Sequence, residues 1–270
     1  MNYRFLMFFG CAILFANNTS THDSISQDTV LLAVIEKAAG KLPKEYLNTV
    51  FSDTAVRIHS EIPERFAKPY EKKSWEEYRK LFVTETKINN GIQFHNENRE
   101  TVHAAAKVFG IDEYIIISIV GVESNYGAHH SEFSVFNSLY TQIQTMPKRQ
   151  KWATNQMVEY LIFCHNDSIN PQEIGGSYAG AFGYGQFIPS SFVAYAVDFN
   201  KDGVRNPVDW EDVLGSVANY LKKNGYEVGS KDFNRKSKNW KSIYSYNHSD
   251  NYVNAIIELR NAIKKGVETK

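Results

Sequence analysis

Cysteine is almost absent from this chain, two residues in 270, and that scarcity closes several routes. Cys11 falls in an N-terminal apolar run and Cys164 in the stretch Tyr160-Leu161-Ile162-Phe163-Cys164, so once a leader is removed no internal disulfide can form. No Cys/His grouping has the spacing of a zinc site; Cys164 reads as a buried small hydrophobe and His129-His130 as a solvated pair. Net charge is missing too. With 30 Lys and Arg against 30 Asp and Glu, no basic footprint argues for nucleic acid or an anionic membrane surface. Long apolar runs are also lacking: Phe5 to Ala16 is about twelve residues, where a bilayer span needs about twenty. That run follows Arg4 and precedes the polar stretch Asn17-Asn18-Thr19-Ser20, so residues 1–20 read as a secretory signal peptide and export is expected. Gly10-Cys11 leaves lipid attachment open.

What is present is enough for a full core. Apolar residues make up 43% and aromatics 14% of the chain, which suits one large domain over 21–270 and a neutral, polar polymer as partner, since aromatic rings stack on sugars as well as filling cores. Leu31, Leu32, Val34, Ile35 and Ala38 recur at helical spacing in a first helix over 29–39. Residues 50–94 read as helix and loop around the main body. From Glu97 onward the pattern is mostly helical, with a segment ending at Gly110 and others at 149–164, 209–224 and 250–264. Tyr114 to Val122 is apolar on every side. Its β-branched residues also fit a buried strand, but its length, Asp112 as a cap and Gly127 as a stop favour a helix through the middle of a domain. The fold class expected is mainly α with a small β portion (α+β).

Glu123 follows that apolar run directly, in Gly121-Val122-Glu123-Ser124-Asn125-Tyr126-Gly127. Poor solvation and the negative end of a helix both disfavour ionisation, so a carboxyl there can stay protonated and serve as a general acid. A surface glutamate in a last helical turn is the competing reading. The second constellation is the segment 175–187, GGSYAGAFGYGQF, whose five glycines allow close backbone approach to a ligand while Tyr178, Phe182, Tyr184 and Gln186 offer rings and an amide. It is not a phosphate loop, because the GxxxxGK[ST] spacing and its lysine are absent.

The pieces GVESNYG, GSYAGAFGYGQFIPSSF, YAVDFNKDG, GSVANYLKKNGY and YSYNHSDNYVNAI, in that order, resemble the B-type membrane-bound lytic murein transglycosylases, glycoside hydrolase family 103, from about residue 28 to the C-terminal helix. The resemblance implies a lysozyme-like catalytic core in the periplasm, anchored to the outer membrane if Cys11 is lipidated. It makes Glu123 the single acid and base and places Ser177 and Gln186 beside the scissile sugar, with Tyr78, Tyr220, Tyr246 and Asn247 in the cleft. Where the family carries two arginines after a proline, this chain has Pro147-Lys148-Arg149. Lysine makes a point contact where arginine forks two hydrogen bonds, so recognition at Lys148 would differ. The implied reaction is non-hydrolytic cleavage of the β-1,4 bond after N-acetylmuramic acid, closing a 1,6-anhydro ring. No catalytic cofactor is implied. The partners are peptidoglycan glycan strands, with other cell-wall enzymes left open and a monomer expected.

Asp198-Phe199-Asn200-Lys201-Asp202-Gly203-Val204 matches the first half of an EF-hand loop, with oxygens at positions 1, 3 and 5, glycine at 6 and a main-chain carbonyl at 7. Position 12 is Asp209 rather than glutamate, and the family resemblance points to Asp212 as the closing ligand of a longer loop. A structural Ca²⁺ or Na⁺ site is expected from Asp198, Asn200, Asp202, Val204 and Asp212. A polar turn is the alternative. Three rival functions stay open: a peptidoglycan-binding module without turnover, a hydrolytic muramidase of the lysozyme type, and a calcium-regulated scaffold.

Overall fold

The computed structural model describes residues 22–67 and 73–269; the expected signal peptide and Cys11 lie outside them. Four helices lead in: α1 (His22–Lys37), α2 (Lys44–Phe51), α3 (Glu61–Ala67) and α4 (Trp75–Phe82). Then come α5 (Glu85–Glu97), α6 (Arg99–Phe109), α7 (Glu113–Ser124), strand β1 (Phe133–Ser134), α8 (Val135–Thr145) and α9 (Gln150–Asn166). The chain continues through strand β2 (Gly175–Gly176), α10 (Pro189–Tyr195), α11 (Trp210–Lys223), α12 (Lys238–Tyr246) and α13 (Asp250–Glu268). The β portion is small: β1 and β2 pair antiparallel with Phe133 opposite Gly176 and Ser134 opposite Gly175, extended by bridges from Phe182 to Gly176 and Phe187. The fold is mainly α with a minor β element, as expected from the sequence.

Helix α7 is the axis of the molecule. Asp112 caps it, its carboxylate accepting from the Tyr114 and Ile115 amides at 3.0 and 3.3 Å, which satisfies donors that a helix start leaves open. Arg260 of α13 pairs with the same carboxylate. Ile115, Ile116, Ile117, Ile119 and Val120 are fully buried, enclosed by α5, α6, α11 and α13. Packing on all sides outweighs the modest helix propensity of isoleucine and valine. The helix ends at Asn125, not Gly127: Asn125 takes the left-handed C-cap conformation (φ 51°, ψ 51°) and Tyr126 follows at φ 57°.

The other helices start where their caps dictate. Ser74 and Glu77 form a reciprocal capping box on α4, Asp209 accepts from the Glu211 and Asp212 amides to start α11, and Ser249 opens α13. The short α10 and α12 were not visible as periodic patterns. Cys164 is fully buried in α9, and burial pushes its thiol up to about 12, consistent with an inert packing role. Among the described residues no helix is long and apolar enough to cross a membrane.

Candidate active site

The residues GVESNYG form one device at the end of α7. Glycine is required at 121 because the Tyr126 ring folds back over the helix; a Cβ there would stand 2.6 Å from Tyr126 Oη. That hydroxyl donates to the Lys87 carbonyl at 3.0 Å, and Ser124 Oγ accepts from the Gly127 amide at 3.0 Å. Two successive non-glycine residues at positive φ cost about 1–3 kcal/mol each and persist only when surroundings over-determine them. Here the cost turns the chain sharply away, so that Glu123 sits at a helix end, half-buried.

The carboxylate is held from α13. Tyr252 Oη donates to Glu123 Oε1 at 2.7 Å. Burial first, and the charge of Glu123 second, push the Tyr252 and Tyr246 phenols well above their ordinary range, so both stay neutral donors. The ring of Tyr246 lies nearly parallel to that of Tyr252, centroids 6.5 Å apart, and its hydroxyl donates to the Gly185 carbonyl at 2.6 Å. Tyr246 therefore links Glu123 to the glycine-aromatic segment, three motifs far apart in sequence meeting at one place.

That segment is a tight, self-bonded loop. Ser177 and Ala181 exchange main-chain and side-chain bonds: the Ser177 amide donates to the Ala181 carbonyl at 2.8 Å, and Ser177 Oγ accepts from the Ala181 amide at 3.2 Å. Gln186 adopts φ 49°, its amide nitrogen donating to the Gly183 carbonyl at 2.8 Å and the His130 carbonyl at 3.4 Å. Ser177 and Gln186 line a cavity of about 650 Å³ with Gly176 and the stretch Ala128 to Glu132, which begins one turn beyond Glu123.

The remaining predicted residues fall in different places. Tyr220 donates to the Ser245 carbonyl at 2.6 Å and packs its ring 4.7 Å from Tyr246, while Asn247 caps the end of α12; both border the Glu123 group. Tyr78 is buried, stacked 4.5 Å from Phe82 in a small cluster with Val83 and Ala255. Lys148 is exposed. Arg149 is sandwiched between Phe66 and Trp152, 4.3 Å from each ring, and Nε donates to Gln142 Oε1 at 2.9 Å. Cation–π contacts on both faces fix the guanidinium in place.

Five residues near the site were not singled out as functional in the sequence. Tyr252 had no signal beyond its place in the DNYVNAI helix. His129 and His130 line the cavity; His129 is exposed, as read, while His130 Nδ1 donates to the Gly127 carbonyl at 2.8 Å and its ring packs edge-on to Tyr184. Glu132 brings a carboxylate to the cavity wall, where it pairs with Arg65 of α3. Lys87, a lysine on an otherwise polar helix face, reaches the end of α7.

The EF-hand-like loop is folded around its own oxygens. Asp198 accepts from the Asp202 and Gly203 amides at 3.0 and 2.9 Å, and Asp202 from the Val204 amide at 2.8 Å. Gly203 turns the chain at φ 94°. Asp212 is buried, its oxygens accepting from the amides of Phe199 and Asn206 at 2.7 Å each and of Asn200 at 3.4 Å, so any ligand role would be additional to holding the loop. Among the described residues no three His, Cys, Asp or Glu side chains converge to hold a metal.

The sequence family described as the Transglycosylase SLT domain matches residues 29–235. Membrane-bound lytic murein transglycosylase B of Escherichia coli (strain K12) is 37% identical over 156 residues, 58% of this chain and 43% of that protein. The alignment thus spans less than half the length of this relative. Among solved structures, the soluble lytic transglycosylase SltB1 of Pseudomonas aeruginosa superposes with a TM-score of 0.80 at 28% identity, covering 88% of this chain and 99% of that one. The Escherichia coli lytic transglycosylase Slt35 in complex with calcium has the same fold, with a TM-score of 0.80 at 24% identity over 94% of this chain and 96% of that one.

Proposed function

Because the chain belongs to the SLT-domain transglycosylase family, we propose that it is a peptidoglycan lytic transglycosylase, a carbon-oxygen lyase with Glu123 as its acid and base. The observation that carries this reading is the bond from Tyr252 Oη to Glu123 Oε1, with Tyr246, stacked on Tyr252, bonded to the Gly185 carbonyl next to Gln186, which lines a cavity with Ser177. Glu123 in its protonated form gives its proton to the oxygen leaving C1 of N-acetylmuramic acid. The substrate's own N-acetyl group stabilises the positive centre. The carboxylate then takes the proton of the C6 hydroxyl as that oxygen closes onto C1. No external water has to be activated, so one carboxyl suffices where ordinary glycosidases need two. Glu132, the carboxylate on the cavity wall, has its charge engaged by Arg65, which favours this chemistry over a two-carboxylate muramidase.

In this reading residues 21–270 act as one catalytic domain, exported behind the leader to the periplasm, working as a monomer on glycan strands. Tyr220, Tyr246 and Asn247 border the scissile bond, and Tyr78 supports them from beneath through α13. Lys148 is free to meet a carboxylate of the peptide stem, while Arg149 shapes the wall between Phe66 and Trp152. The product tests the chemistry. Fresh digests of purified sacculi should contain 1,6-anhydromuropeptides by mass spectrometry; fragments carrying an added water would make the protein a hydrolase.

The loop 198–204 suits a hard cation, since its donors are two carboxylates, the Asn200 amide oxygen and the Val204 carbonyl. We infer a structural Ca²⁺ site with no part in the bond cleavage. With two rather than three or four carboxylates, binding should be weak, about millimolar. A ligand that binds only the native state raises stability by mass action, so 10 mM-range Ca²⁺, about ten times that constant, should raise the melting temperature of the wild type and not of Asp202→Ala. An equal rise in both would put the metal elsewhere.

A further inference from the structure

A helix end leaves its last carbonyls without intrahelical partners, and the negative end of the helix dipole lies there. At the end of α7 the missing partner comes from α5. Lys87 Nζ donates to the Gly121 carbonyl at 2.6 Å and to Asn125 Oδ1 at 3.1 Å, two residues before and two after Glu123. The Lys87 carbonyl accepts from Tyr126 Oη, so the lysine and the folded-back tyrosine brace the same turn from both ends. Burial pushes the Lys87 ammonium down to about 8, and the charge of Glu123 draws it back up. A half-buried cation is costly unless its charge is used.

We propose that Lys87 is a positioning residue for Glu123: its ammonium locks the last turn of α7 and places a positive charge beside the carboxylate, which favours the ionised form needed in the second half of the reaction. This rests on the reading of Glu123 as acid and base. A group with both duties works best when its pKa lies near the working pH. Burial and the helix end favour the protonated acid, and Lys87 opposes them. Groups acting on the carboxylate include Lys87 from α5, Tyr246 from α12 and Tyr252 from α13, with Tyr126 beyond the helix end. Burial holds all three phenols neutral; of the four, Lys87 alone carries positive charge.

Three variants test this in the full chain: Lys87→Met, Lys87→Arg and Glu123→Gln. The readouts are the pH–rate profile on soluble glycan and the ¹³C NMR titration of the Glu123 carboxyl. Lys87→Met should raise the titration of Glu123 by about one pH unit and carry with it the alkaline limb of the profile, where the rate falls as the acid loses its proton. On the acid-side plateau, where Glu123 is protonated in both proteins, its kcat should fall about tenfold because the last turn of α7 is no longer locked, with KM within about twofold. Lys87→Arg keeps the charge and should retain the wild-type titration. An unchanged Glu123 titration in Lys87→Met, or equal kcat losses in both variants with the limb in place, overturns the proposal. If Lys87→Met does not fold, the NMR titration of Lys87 Nζ decides: in Glu123→Gln it should move down, and no movement overturns the coupling. Retained turnover in Glu123→Gln would instead sink the catalytic assignment, while the titration shifts would still report on Lys87.

Discussion

Glu123→Gln should fold, bind glycan and turn over sacculi about a thousandfold more slowly than the wild type, the loss expected when a positioned general acid is removed. The amide has the same shape as the acid, and its oxygen can still accept from Tyr252 Oη, which donates to Glu123 at 2.7 Å in the wild type. It has no acidic proton to give the leaving oxygen and no basic oxygen to take one from the C6 hydroxyl. The melting temperature and the affinity for chitooligosaccharide should therefore stay close to those of the wild type while kcat collapses. Turnover within tenfold of wild type would remove Glu123 from the mechanism, and a loss of binding equal to the loss of rate would make it a substrate contact. The same variant separates an enzyme from a binding module, since only the enzyme has a rate to lose.

The second large effect is structural. Gly183 sits in the glycine-aromatic loop at φ 71°, and a Cβ there would lie 2.4 Å from the Pro207 carbonyl oxygen. Side chains rarely adopt that backbone region, and the obstacle is main chain rather than a side-chain tip that could move aside. The neighbouring Tyr184 amide donates to the same Pro207 carbonyl at 2.9 Å, so the loop cannot back away without losing that bond. Gly183→Ala should cost about 3 kcal/mol, near the upper end for single substitutions, and lower the melting temperature by about 6–12 °C for a domain of this size. Activity should fall at temperatures where the protein is still folded, because Gln186 bonds to the Gly183 carbonyl and would shift with it. A wild-type melting curve would show that the loop has more freedom than its contacts imply.

The helices legible in the sequence are those with long apolar periodicity or a strong cap. α9, α11 and α13 lie within a few residues of the expected spans, and Asp112 marked the start of α7. The central ambiguity, strand or helix for Tyr114 to Val122, could not be resolved locally, because a run apolar on every side has no period to read. Its burial between α5, α6, α11 and α13 decides it. Glu123 was legible for a related reason: an acid placed directly after a wholly apolar run is in conflict with its surroundings, and such conflicts mark functional sites. The glycine-rich segment was legible because five glycines in thirteen residues have no use in a helix.

What the chain by itself determined is thus the helical class, the acid at the end of the buried helix and the sharp loop that follows, each written in residues close together along the sequence. Only the tertiary structure decided what stands around that acid. Tyr252 is 129 residues from Glu123, the contact of Lys87 with Gly121 crosses 34, and His129, His130 and Glu132 became cavity lining only when β1 paired with β2. The packing of α3 and α9 against α8 likewise set the Arg149 guanidinium against the rings of Phe66 and Trp152. Local patterns record how a segment meets water and the core. Which hydroxyl or ammonium arrives at a given carboxylate depends on how separate helices pack, and no periodicity in any one of them carries that information.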